Sequence, residues 1–452
     1  MSTIIALTLW LILCACTAYQ YARRRRRNYP PGPQGLPILG NLLDMPHDKE
    51  GLKYTQWARE YGDMYHLSVL GTHIFIINTP EVANDLFVKR SSNYSDRDRM
   101  TMINELMGWD FSFAMMRFGD RWKTHSKMFT THFRFGNISS YHTTQRDCTY
   151  DLLRDLLESP QNLHDHLKHL MANAVTQIMY GIPVAKSEDH YAAVADQAFN
   201  AMTNAASPGT FLVDVFPILK HAPAWLPGAD FQRKAKEWKK LTLEMVDAPY
   251  RAAQRATVEG NVRRCFVTEV TSDLERLGAN KDQYEVLRNC AGLGFAAGVQ
   301  TTSTSLMSLF LALMLYPDVQ KRAQDELDRV CNGRLPDFSD RPALPYVDAL
   351  CAELSRWGVV APLGVPHVAS RDDVYRGYDI PAGSIMIDAQ IFITAASILR
   401  VFVIKPLPGP WSVRPKYEDL FSFRPESHPI PFKCQIIPRG ESEIRLIQNS
   451  LP

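Results

Sequence analysis

The chain has 452 residues, 46% of them hydrophobic and 22% charged, with a formal net charge of +2. That balance excludes a disordered chain and gives no general pull toward nucleic acid or an acidic partner. Length alone allows about three domains, but no Gly/Ser-rich linker, acidic tail or repeat divides the sequence, so one large domain is expected.

Thr3 to Ala22 is a run of 20 residues without a charge. As a helix it would span about 30 Å, the thickness of a bilayer's hydrocarbon core. Arg23 to Arg27 follow directly, and positive charge stays on the cytosolic side. A cleaved signal peptide needs the reverse order, charge first and small residues last. A single-pass anchor in the endoplasmic reticulum membrane is expected, with the body in the cytosol. Trp10, Tyr19 and Tyr21 suit its interfaces. Of eight cysteines, Cys14 and Cys16 lie in the anchor; Cys148, Cys265, Cys290, Cys331, Cys351 and Cys434 are scattered without Cys-x-x-Cys spacing. In a reducing compartment such cysteines read as small buried hydrophobes.

Pro30, Pro31, Pro33 and Pro37 make Tyr29–Leu43 a stiff connector, or an ordinary proline-rich linker. The expected units are an anchor with its basic flank at 1–27, the connector at 28–43, and one domain at 44–452. Two β-branched and aromatic runs, Met64–Gly71 and Thr72–Thr79, predict a hairpin. Thr79, Pro80 and Glu81 then supply the cap, first-turn proline and first-turn acid of a helix through Arg90. Helical periodicity dominates at Leu152–Leu170, Tyr191–Met202, Phe231–Thr257 and Phe266–Leu277. The fold class is mainly α with a small β-sheet region.

Three further helical stretches hold candidate chemistry. In Gly119–Phe129, Trp122 and Ser126 share a face, with His125 and Lys127 beside them; an anion site or a plain amphipathic surface helix both fit. Tyr284–Tyr316 is apolar on nearly every face, as a buried central helix is. Gln300 and five successive hydroxyl residues, Thr301–Ser305, argue against lipid exposure. There Gly298 would let something flat approach the backbone, and the hydroxyls would bond back to the preceding turn; a polar seam within the core is the alternative. In Leu344–Ala369, Glu353 and Arg356 stand at i, i+3 and can pair. Ala349, Leu350, Leu354 and Trp357 around them predict partial burial of the pair.

The proline connector, WKTHSK, AGVQTTS, the Glu-x-x-Arg pair with APLGVPH, and DDVYRGYDIPAGSI occur in one order. That order resembles the cytochrome P-450 family, in particular membrane-anchored fungal monooxygenases of secondary metabolism, over nearly the whole chain. The resemblance implies heme as cofactor, NADPH delivered through a partner reductase, and a lipophilic small-molecule substrate such as a terpenoid or polyketide. It implies that Ala297 and Gly298 contact the heme and that Thr301 helps deliver protons to dioxygen. Glu353 and Arg356 would form a structural pair beneath the heme, and Trp122 would approach a propionate. Phe111, Phe113, Met115 and Met116 would approach the substrate, or pack the core.

The resemblance also exposes a gap. In the family, a strand like GYDIPAGSIMI is followed by several dozen residues, ending in a Phe-Gly-rich loop with Cys-x-Gly. That cysteine thiolate ligates the iron. Here Ile387 is followed by Asp388, Ala389 and Gln390, then by the helix-like stretch from Ile391. Cys434, Cys351 and Cys290 lack the glycines of a ligand loop, and FRPE at Phe423–Glu426 lacks the arginine and lies too late. No metal ligand is therefore assigned. Ser126 stands where the family commonly has arginine, and Gln300 where it commonly has an acid; an amide cannot relay protons as a carboxylate can. Two functions follow: a heme monooxygenase that needs the missing segment restored, or a heme-poor membrane-bound pseudoenzyme or scaffold.

Overall fold

The computed structural model describes residues 27–46, 49–133, 138–184, 190–206, 210–261, 263–382, 385–386, 402–406, 416–422 and 427–449. The expected anchor with Cys14 and Cys16, the junction at Ile387–Ile391 and Phe423–Glu426 lie outside these residues.

The first described segment is the connector. Its backbone is tied to the sheet: the His66 amide donates to the Pro31 carbonyl at 3.0 Å, and the Asn41 side chain accepts from the Ser68 amide at 3.0 Å. Gly40 has φ +62°, and a Cβ there would sit 1.9 Å from the Ser68 oxygen. Only glycine allows that approach.

Helix α1 (Glu50–Tyr61) leads into the predicted hairpin, β1 (Met64–Val69) antiparallel to β2 (Thr72–Ile77). Its two-residue turn has positive φ at both Leu70 and Gly71, the twist that matches paired strands. Thr79 caps the next helix through the Val82 amide, and Pro80 occupies its first position. That helix is α over Pro80–Ala83 and π over Asn84–Lys89, ending at Arg90.

The helical body comprises α2 (Asp120–His132), α3 (His142–Glu158), α4 (Leu163–Tyr180), α5 (His190–Ala206), α6 (Asp230–Val258), α7 (Phe266–Arg276), α8 (Lys281–Leu315), α9 (Pro317–Cys331) and α10 (Pro345–Trp357). The expected helix over Leu152–Leu170 is a correction. It divides between α3 and α4, because Pro160 has no amide proton to continue the ladder across Ser159.

The long α8 begins at a capping box: Asn280 and Gln283 bond each other's backbone amides at 3.2 and 3.1 Å. It is the only described helix long and apolar enough to cross a membrane by composition, and it is mostly buried inside the protein. Through Val299 it belongs to one apolar cluster with α4 to α7 and the Met102–Phe111 segment. From Leu306 it belongs to another with α3, α4, α9 and α10. The hydroxyl run lies between these clusters.

Later strands are short. β3 (His367–Val368) and β6 (Ile385–Met386) complete a sheet in the order β1-β2-β6-β3, with β6 parallel to β2. β4 (Asp373–Tyr375) pairs with β5 (Tyr378–Ile380), and β7 (Phe402–Pro406) pairs with β8 (Cys434–Pro438) ahead of α11 (Glu441–Gln448).

Candidate functional site

Between its apolar clusters α8 turns its hydroxyls on itself. The Thr301 hydroxyl donates to the Ala297 carbonyl at 2.6 Å, Ser303 to Gln300 at 3.0 Å, Ser305 to Thr301 at 2.8 Å and Ser308 to Thr304 at 3.1 Å. This is the expected back-bonding. Ala297 is exposed in the middle of a mostly buried stretch of α8, and Thr301 is half-buried one turn on. The two share a face, so α8 has an open, small-residue strip there.

Gly298 faces elsewhere. A Cβ on it would meet Val175 of α4 at 3.0 Å, so the missing side chain admits a neighbouring helix at that point. Gln300 lines a separate cavity with Thr304 and Met307.

Glu353 and Arg356 pair in fork geometry, 2.7 Å from Nε to Oε2 and 2.6 Å from Nη2 to Oε1. Pairing with Arg356 lowers the Glu353 carboxyl below its usual range. The expected partial burial is corrected: the side chains are 53% and 74% exposed. Helix α10 buries Val347, Cys351 and Leu354, a stripe at i, i+4, i+7. The pair lies on the opposite side of that stripe.

Trp122 is half-buried on α2, its ring 5.4 Å from Phe118. Its neighbour His125 is buried, with Asn289 of α8 at 3.2 Å from its Nε2. Burial pushes the His125 ring below the ordinary imidazole range. Phe111 and Met116 are buried, Phe113 packs 5.4 Å from Phe129, and Phe111 borders a cavity of only about 80 Å³. Those side chains pack the core.

Arg97 was not singled out from its sequence, SDRDRM. It donates from Nε to the Ala114 carbonyl and from Nη1 to those of Val365 and Pro366, each at 2.9 Å. Burial pushes its guanidinium down to about 10, and among the described residues it has no carboxylate ion pair. Close by, burial and then the charge of Arg97 push His367 down to about 4, with its ring bonded to the Tyr94 carbonyl at 2.7 Å. A half-buried cation whose side-chain hydrogen bonds all go to carbonyls can receive a carboxylate.

Heme asks for flat clearance, partners for its acidic side chains, and an axial ligand. The Ala297–Thr301 strip offers the first and Arg97 the second. The described cysteines do not offer the third. The Cys148 sulfur takes the Asn173 and Gln177 amides at 3.6 and 3.4 Å, Cys265 caps α7, and Cys290 bonds the His125 carbonyl at 3.4 Å. Burial pushes Cys148, Cys290, Cys351 and Cys434 up to about 12 and raises Cys265. A thiol so held is not the thiolate that binds iron. Among the described residues no group of three His, Cys, Asp or Glu is placed to hold a metal. Among the described residues, the cysteines so placed do not fit a thiolate-ligated heme.

The family model for cytochrome P450 matches residues 30–395. A cytochrome P450 monooxygenase of Armillaria gallica is 40% identical over 389 residues, covering 85% of this chain and 76% of its own. The tryptamine 4-monooxygenase of Psilocybe cyanescens is 38% identical over 388 residues, 84% and 76%. Cytochrome P450 monooxygenase 208 of Postia placenta is 32% identical over 496 residues, 97% and 95%.

Proposed function

The chain belongs to the cytochrome P450 family, and we propose that it is a heme monooxygenase of lipophilic small molecules by descent whose catalytic centre is incomplete. Its members' chemistry is heme-dependent monooxygenation. The finer reading is a secondary-metabolite substrate, such as a terpenoid or polyketide. It includes an NADPH-fed reductase partner and a single-pass anchor at Thr3–Ala22 that leaves the body in the cytosol.

One observation supports the impairment: Cys148, Cys265 and Cys290 spend their sulfurs on contacts within the protein, and burial raises the thiols of Cys148, Cys290, Cys351 and Cys434. The comparisons support a missing stretch as its origin. The alignment with the Postia placenta protein spans 496 positions, 44 more than the 452 residues of this chain. That relative therefore has residues without a counterpart here, and the DAQ junction after Ile387 is where we place them.

Reduced protein with added heme and carbon monoxide is the direct test. The expected spectrum lacks a thiolate-type Soret band; its appearance would overturn the impairment. Sequencing the transcript across Ile387–Ile391 separates the two histories. Several dozen extra codons would restore an ordinary monooxygenase. An uninterrupted message leaves the alternative, a heme-poor membrane-bound pseudoenzyme or scaffold. Ser126 and Gln300, both remote from the junction in sequence, favour that alternative because one lost segment does not account for them.

A further inference from the structure

A cavity of about 480 Å³ lies beside α8, bounded by α4, α5 and the segment 428–432. Its α8 wall is Gln300, Thr304 and Met307 at i, i+4, i+7. This stripe is rotated by roughly 70° from the Ala297–Thr301 strip, so the cavity is a different place from the face assigned to heme. Its size is that of small-molecule sites, about 300–1,000 Å³.

The cavity lining has a polar and an apolar part. In the polar part, Thr304 is 6% exposed, and its hydroxyl has no hydrogen-bond partner among the described residues. Its ordinary acceptor, the Gln300 carbonyl one turn back, is taken by Ser303. The side-chain amides of Gln300 and, across the cavity on α5, Asn200 likewise have no partner among the described residues. Of the three only Thr304 is buried, and a hydroxyl left so costs stability until something bonds it; Gln300 is half-buried and Asn200 is exposed. The apolar lining is Met307, at the end of the α8 stripe, with Pro429, Pro431 and Phe432 of the later segment.

Charge selects the ligand further. Lys168 on α4 and Asp196 on α5 both border the cavity and neutralise each other at 3.1 Å. Neither is left to balance an acid or an amine.

We propose that this cavity binds an uncharged, oxygenated lipophile. A hydroxyl or carbonyl end meets Thr304, Gln300 and Asn200, which together both donate and accept, and the apolar body lies on Met307, Pro429 and Phe432. The site requires no heme, so it serves the chain whether or not its iron centre is complete.

The test uses purified full-length chain at pH 8, where His164 at the cavity wall, held below the ordinary imidazole range by burial, is uncharged. The probe is 4-(hydroxymethyl)benzophenone, neutral and photoreactive. Adducts are mapped by peptide mass spectrometry. Saturable labelling is expected at Met307 and within 427–433. 4-Benzoylbenzoate, with the same body and a carboxylate, should need at least about tenfold higher concentration, because its charge is desolvated without a counterion. Thr304→Val should raise the half-saturating concentration about three- to tenfold. Met307→Trp should abolish adducts in 427–433. If M307W does not fold, as a thermal melt followed by circular dichroism will show, the near-isosteric T304V decides alone. Non-saturable labelling, equal labelling by the carboxylate, or indifference to T304V overturns the proposal. So does adduct formation centred on the Ala297 face. The same labelling with and without added hemin is expected, and loss on hemin addition would place the site in the heme cleft instead.

Discussion

Arg356 grips Glu353 with two hydrogen bonds, at 2.7 and 2.6 Å, on the solvent side of α10. A pair so exposed gains little over two hydrated ions. Glu353→Gln should therefore shift the thermal midpoint by no more than about 2 °C. A fall of 5 °C or more by differential scanning fluorimetry would show instead that the pair is built into the fold.

That pair also marks where the sequence was misread. The stripe Val347, Cys351 and Leu354 was present to be counted, and it already set Glu353 and Arg356 on the far side of the helix. Apolar neighbours in sequence do not fix burial on a helix; the angle around its axis does. Pro160 was likewise available to divide α3 from α4. Helix α8 was legible because an all-round apolar helix has few places to go but the core, and the β1–β2 hairpin because Leu70-Gly71 separates two β-rich runs. Arg97 was not legible at all. Its burial comes from Ala114, Val365 and Pro366, which meet it only in three dimensions, while its own segment reads as a charged surface.

Among the described residues Arg97 is the only side-chain donor to the carbonyls of Ala114, Val365 and Pro366. Removing it leaves three part-buried carbonyls without that donor, which costs more than the bonds themselves contributed. Arg97→Met is expected to destabilise the chain by about 2–4 kcal/mol in urea unfolding. Arg97→Lys should recover less than half of that loss, since an ammonium cannot reproduce the planar fork. Full recovery by lysine would mean that charge, not geometry, holds this site.

Gly298 and Val175 set how closely α8 and α4 approach. Alanine at 298 gains about 1 kcal/mol of helix propensity, but its Cβ would lie 3.0 and 3.3 Å from the two methyls of Val175. Those methyls are stiff on a β-branched side chain. Gly298→Ala should be net destabilising by about 1 kcal/mol. Combined with Val175→Ala, it should cost less than the two single changes added together, by about 1 kcal/mol. Additive losses in a double-mutant cycle would show that the two residues are not in contact.

Asp214 carries the clearest pH dependence. Its carboxylate oxygen accepts from the Met102 amide at 2.8 Å, yet burial raises it from 3.8 to about 6, with Asp98 adding to the rise. Below about pH 4 both folded and unfolded chains hold the proton, and the site imposes no charge penalty. As pH rises from 4 to 6 the unfolded chain releases its proton first, so stability falls; above about 6 the loss is complete. The full loss is on the order of 1–3 kcal/mol. In Asp214→Asn the side chain keeps an acceptor for the Met102 amide and has nothing to titrate. The variant should therefore match the parent near pH 4 and exceed it at pH 7 by that amount. Subtracting the two urea-unfolding profiles cancels every other titrating group. A difference that stays flat from pH 4 to 7, or a variant weaker at pH 7, would show that the carboxyl is ionised comfortably in the fold.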